Sequence, residues 1–226
     1  MALESGFTSI EADIYLHGGE LKVAHLPLAL SSRKNLEDLY LKPLEKIIWQ
    51  NGGTVYPNYP VQIVLMIDLK QRADKIYPAL RELLCRYRSM ISWYKDGVEV
   101  SRGPVRVLLS GQVSLQLLKE DTLQPAMADV QVALLNDTTY TKVINRYSSP
   151  WERYFKWKGR GEFPKHEQTI LDSLVSAAHR AGKDIRFYHI PDKPSVWKVL
   201  LDSNVDWINT DHPARFSKFY YEVYRR

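Results

Sequence analysis

The chain has 226 residues, 45% of them hydrophobic and 25% charged, a globular composition that excludes a disordered or collagenous polymer and suits one domain spanning residues 1–226. Its 31 basic residues outnumber 26 acidic ones, for a formal charge of +5, but they are scattered, with no basic stripe or aromatic RNA-binding motif; this favours a small anionic ligand and argues against nucleic acid. The single cysteine, Cys85, excludes an intrachain disulfide, and neither a transmembrane run nor a signal segment in Met1–Gly6 is present to assign a compartment.

Thr8–Leu16 alternates, with Ile10, Ala12, Ile14 and Leu16 on one face and Ser9, Glu11, Asp13 and Tyr15 on the other, so a strand is predicted there. Gly18-Gly19 supplies a turn into a second strand, Leu21–His25. Helical spacing runs from Leu36 to Gln50 through Leu39, Tyr40, Leu44, Ile47 and Ile48. Val61–Lys70 is nearly continuous apolar sequence, the pattern of a parallel strand covered on both faces, and a helix follows over Arg72–Arg88. A hairpin around Asp96-Gly97, strands at Val105–Ser110 and Val130–Leu135, and an irregular aromatic stretch from Tyr140 to Phe163 come next. The remainder reads as helix Lys165–Ala181, strand Asp184–His189, helix Ser195–Ser203, strand Asp206–Thr210 and a helix after Pro213. Alternating strands and helices without a glycine-rich dinucleotide fingerprint suit a (β/α)8 TIM-barrel type better than an open doubly wound sheet.

Residues two apart on a strand share a face, so Glu11 and Asp13 converge. Two such carboxylates repel, and either a shared cation or solvent must face them; hard oxygen ligands suit Mg²⁺ or Ca²⁺. Asp68 and Lys70 repeat the spacing at the carboxyl end of a buried strand, where barrels build their sites. There the carboxylate could complete a metal site and the ammonium hold a phosphoryl oxygen, or the two could simply pair with each other. His25, one hairpin beyond Asp13, is a candidate general acid or base, although a lone histidine at a strand end is commonly structural. Ser110 and Asp211 at strand ends are candidate pocket walls, and Arg186 and Tyr188, on one face of their strand, could reach an anionic ligand. Tyr147, Trp151, Tyr154, Phe155 and Trp157 suit stacking on a flat ligand or, more ordinarily, packing of a long loop.

Ala2–Asp13 followed by Glu20–His25 resembles the phospholipase C-like phosphodiesterase superfamily, which includes the glycerophosphodiester phosphodiesterases, and within it the altered inheritance of mitochondria protein 6 family. Asn35–Leu44, Met66–Lys70, Val107–Gly111, Arg186–Tyr188 and Asn209–Asp211 extend the likeness over almost the whole chain. The resemblance implies a (β/α)8-type barrel that hydrolyses a phosphodiester small molecule or lipid head group with one divalent cation. Glu11, Asp13 and Asp68 match the family's carboxylate ligands, Lys70 would face the phosphate, and His25 matches the second of two catalytic histidines. The first lies on a strand upstream of the segment that begins at Met1, so the resemblance also implies a barrel lacking its first strand, with His189 weighed as a stand-in. The alternative is an inactive barrel that binds metal or phosphorylated ligands.

Overall fold

The computed structural model describes residues 2–30 and 34–224. They form two compact units, one of residues 8–128 with 140–144, the other of residues 2–7, 129–139 and 145–224.

In the first unit, β1 (Ser9–His17) turns through Gly18-Gly19 into antiparallel β2 (Glu20–Val23). The other edge of β1 pairs in parallel with β3 (Ile63–Leu69), and β3 in turn with β6 (Val105–Gly111). Six of the seven β3 residues are buried, as expected for a central strand covered on both faces. A π-helical turn at Glu37–Leu41 leads into α1 (Lys42–Gln50), which precedes β3. From β3 the chain crosses through α2 (Ala73–Arg86), which buries Ile76, Tyr77, Leu80, Leu83 and Leu84 at helical spacing. Between α2 and β6, β4 (Trp93–Lys95) and β5 (Val98–Ser101) form a hairpin whose turn residues Asp96 and Gly97 both have positive φ, 51° and 83°, matching the twist of paired strands.

Two elements here depart from the sequence pattern. A short helix, α3 (Leu115–Glu120), is capped by the Ser114 hydroxyl, which accepts from the Leu117 N–H; six residues are too few to show a period. The strand expected at Val130–Leu135 starts three residues earlier, as β7 (Met127–Gln131), and Val132–Leu134 is a 3₁₀ turn. Pairing of Met127 and Ala128 with Leu108 and Leu109 of β6 sets that register.

In the second unit, β8 (Ile144–Pro150), β9 (Asp184–Tyr188) and β10 (Trp207–Ile208) run parallel, with β9 in the middle. Helices α4 (Lys165–Arg180), α5 (Pro194–Asp202) and α6 (Pro213–Tyr224) complete it. β8 lies inside the stretch expected to be irregular. Its pattern hides because the buried residues include Arg146, Ser148 and Ser149 as well as apolar ones, so polarity does not alternate. After β8 the aromatics pack: Trp151 and Phe155 are fully buried 4.2 Å apart, and Phe163 and Phe187 join them. The buried Glu167 carboxylate accepts the N–H groups of Lys156 and Trp157, tying this segment to α4. A tilted ring contact between Phe7 and Phe216 and a bond from the Ser217 hydroxyl to the Ser5 carbonyl dock the N-terminal turn on α6.

Candidate active site

The register of the first unit aligns Asp13 of β1 with Asp68 of β3, and Asp68 with Ser110 of β6, in one row across three parallel strands. Glu11 lies two residues back on the Asp13 face, and Glu11, Asp13 and Asp68 each offer an oxygen within 4.8 Å of the others. The strand ends are held in place by backbone bonds: the Lys70 N–H donates to the Ile14 carbonyl, and the Leu16 N–H to the Gln71 side chain.

Lys70 stands among the carboxylates. Its ammonium donates to Asp68 Oδ2 at 2.6 Å and lies 3.1 Å from Asp13 Oδ1. Partial burial alone would lower its pKa, but the hydrogen bonds to Asp68 and Asp13 outweigh that, and the ammonium titrates above the ordinary lysine value. His25 reaches the same group from the loop after β2, where the Ala24 N–H donates to the Asp13 carbonyl at 3.1 Å and turns the chain back. Its Nδ1 donates to Asp13 Oδ2 at 2.7 Å, while 80% of the side chain stays open to solvent. Three carboxylates against one ammonium leave a formal charge of minus two with the imidazole neutral.

Two further residues belong here that sequence reasoning did not single out. Tyr40, on the π-helical turn, donates its hydroxyl to the Glu11 carbonyl at 2.9 Å. Burial, and then the negative charges of Asp13 and Glu11, raise its pKa. In the sequence it counted as an apolar member of a helix face; the signal available was that a half-buried phenol needs a hydrogen-bond acceptor. Gly111 has φ +76°, and a Cβ there would fall 1.9 Å from Asp68 Oδ1. No side chain fits in that place.

The fit to a cation rests on Asp68. Its Oδ1 is buried and has no hydrogen-bond partner among the described residues, and an unsatisfied buried acceptor costs about 1–3 kcal/mol. Three convergent carboxylates, one of which also carries an unsatisfied oxygen, match the donor chemistry of Mg²⁺ or Ca²⁺.

Arg186, Tyr188 and Asp211 lie in the second unit. The Arg186 guanidinium is 5.6 Å from the Tyr188 ring, and Tyr188 Oη accepts from Gln131. The Asp211 N–H donates to Asp192, a carboxylate that also binds the Thr210 hydroxyl and the Trp197 indole. Asp211 is thus placed by a local turn network. His189, next to Tyr188, has a positive φ of 52°.

Residues 1–127 match the family model described as AIM6-like phosphodiesterase domain. Over 96% of its length the chain is similar to altered inheritance of mitochondria protein 6 of Eremothecium gossypii, at 28% identity. Over 93% it is similar to the altered inheritance of mitochondria protein 6 homolog of Arthroderma benhamiae, at 24% identity. The chain spans 65% of the first relative's length and 74% of the second's. No solved structure matches.

Proposed function

Because the chain belongs to the family of AIM6-like phosphodiesterase domains, we propose that it is a divalent-cation-dependent phosphoric diester hydrolase of the glycerophosphodiesterase or phospholipase C-like type. The observation that carries the reading is the meeting of Glu11, Asp13 and Asp68 oxygens within 4.8 Å, with Lys70 and His25 bonded to the same carboxylates. The reading brings with it a (β/α)8-type barrel, whose sites sit at the carboxyl ends of parallel strands.

Glu11, Asp13 and Asp68 would hold the cation, Mg²⁺ or Ca²⁺, which when bound supplies Lewis-acid polarisation of a phosphoryl oxygen. Lys70 binds a second phosphoryl oxygen as a point charge, and its raised pKa keeps it cationic at neutral pH. Asp13 fixes the imidazole of His25 with Nδ1 protonated, which leaves Nε2 as the atom that takes or gives a proton. The open position of that imidazole lets a substrate hydroxyl, water or leaving alkoxide reach it. Ser110, in the row with Asp68, lines the phosphate position, and Arg186, Tyr188 and Asp211 are carried as substrate-binding candidates.

A binding protein without turnover is the second reading. It is favoured by the fact that the imidazole bonded into the carboxylate group is that of His25, while displacement at a phosphodiester calls for both an acid and a base.

Turnover of bis(p-nitrophenyl) phosphate with and without Mg²⁺ or Ca²⁺ decides between them, with calorimetry of metal binding alongside. His25→Ala is expected to lower turnover about 10²–10⁴-fold and leave metal affinity intact, and Asp13→Ala to abolish both. Metal binding without turnover in the unaltered protein would select the second reading. Metal binding unchanged by Asp13→Ala would overturn both.

A further inference from the structure

Asp13 and Asp68 bring four carboxylate oxygens to the candidate site, and three of them are engaged. The Lys70 ammonium takes two: it donates to Asp68 Oδ2 at 2.6 Å and lies 3.1 Å from Asp13 Oδ1. The imidazole of His25 takes the third, Asp13 Oδ2, at 2.7 Å. Asp68 Oδ1 is the fourth, buried and without a hydrogen-bond partner among the described residues. Asp68 can therefore give an oxygen to a ligand freely, whereas both oxygens of Asp13 are held, one of them by a cation. The ammonium is firmly seated as well. Lys70 follows β3 directly, its N–H is fixed to the Ile14 carbonyl at 3.1 Å, and its side chain is only 22% exposed. A divalent cation that drew oxygens from Glu11, Asp13 and Asp68 would stand about 2.0–2.6 Å from each, within a few ångströms of an ammonium bonded to two of the same carboxylates. Like charges that close repel strongly even in a partly aqueous medium.

We infer that Lys70 is a built-in competitor of the divalent cation, and that a phosphodiester which draws the ammonium off Asp13 and Asp68 admits the cation, so that the two ligands bind cooperatively. This competition rests on the phosphodiesterase reading above, in which Glu11, Asp13 and Asp68 hold the cation. A phosphodiester monoanion placed between the ammonium and the cation has an oxygen for each, and turns one repulsive contact into two attractive ones. By linkage the coupling is reciprocal: the factor by which the diester tightens the cation is the factor by which the cation tightens the diester. Alone, each ligand meets a site that is partly closed by its own lysine.

The test is titration calorimetry of Mg²⁺ and of Ca²⁺ into the full chain, with and without saturating dimethyl phosphate. Salt at about 0.15 M screens charges more than about 8 Å away, so that a change reports on contact. The unaltered protein is compared with Lys70→Met, which removes the charge and keeps most of the side-chain length, and with Lys70→Arg, which keeps the charge. Lys70→Gln replaces the methionine variant if thermal unfolding shows the latter to be misfolded. Without the diester, Lys70→Met is expected to bind the cation about tenfold or more tightly than the unaltered protein, and Lys70→Arg no more tightly. Dimethyl phosphate should tighten the cation about tenfold in the unaltered protein and about twofold or less in Lys70→Met. Equal or weaker cation binding by folded Lys70→Met, or a diester effect of the same size in it, would overturn the competition and leave the metal-dependent reading in place. Cation binding by none of the proteins would overturn that reading and the competition with it.

Discussion

Two groups of charged side chains, one in each unit, use the same residue types in opposite ways. In the first unit Glu11, Asp13 and Asp68 bring like charges together near solvent, with one ammonium among them and one buried oxygen, Asp68 Oδ1, left without a hydrogen-bond partner. In the second, Asp129 and Arg146 bring opposite charges together out of contact with water, 3.6 Å apart, with the guanidinium 4.3 Å over the Trp207 ring; Asp129 Oδ2 likewise lacks a hydrogen-bond partner among the described residues, but it faces a cation rather than other carboxylates. The difference teaches what each is for. Opposite charges sealed in the interior offset part of each other's desolvation, so that each needs the other to stay buried, and removing one leaves its partner uncompensated. Converging carboxylates are an expense to the fold and suit a ligand that arrives from outside.

The largest expected effect breaks the buried pair. Arg146→Leu leaves the Asp129 carboxylate buried without one of the two cations that act on it, Arg186 and Arg146, and urea denaturation should show a loss of about 3–5 kcal/mol. Replacing both residues by leucine should restore most of that loss, and failure to restore it would mean that the pair is not a closed unit. Burial also pushes the Asp129 carboxyl above the ordinary aspartate value of 3.8, against the opposing pull of Arg186 and Arg146. A carboxyl whose pKa is raised by folding contributes stability that is fully present below the unfolded value and lost as pH rises through the folded one. The stability of the unaltered protein relative to Asp129→Asn should therefore grow as pH falls towards 3.8.

The converging group is probed through the cation instead. At a concentration 100 times its dissociation constant, Mg²⁺ or Ca²⁺ should stabilise the protein by about 2.7 kcal/mol, read as a rise in Tm. Glu11→Gln should remove that rise and scarcely change Tm in the absence of metal. A loss of stability in metal-free Glu11→Gln would class this group with the buried pair.

Two smaller effects sharpen the geometry. Gly111→Ala sets a methyl against Asp68 Oδ1 at a positive φ, and should cost about 1–3 kcal/mol together with weaker metal binding. Tyr40→Phe removes one hydrogen bond to the Glu11 carbonyl, for a loss of about 0.5–1.5 kcal/mol in thermal or chemical unfolding.

The sequence by itself determined that Glu11 and Asp13 share a face, because a strand has a period of two, and that a covered central strand lies within Val61–Lys70, because its apolar run is nearly continuous. It also marked most helices of both units through their spacing and stops. The tertiary structure alone decided that Asp13 stands beside Asp68, since strand register depends on pairing between positions 55 apart in the sequence. It likewise decided that Tyr40 turns its hydroxyl to Glu11 and that Gly111 makes room for Asp68, contacts that no local pattern encodes. The strand Ile144–Pro150 went unseen for the same reason. Its buried residues include an arginine and serines, and a polar residue can be buried in a sheet only when partners from other strands are there to receive it.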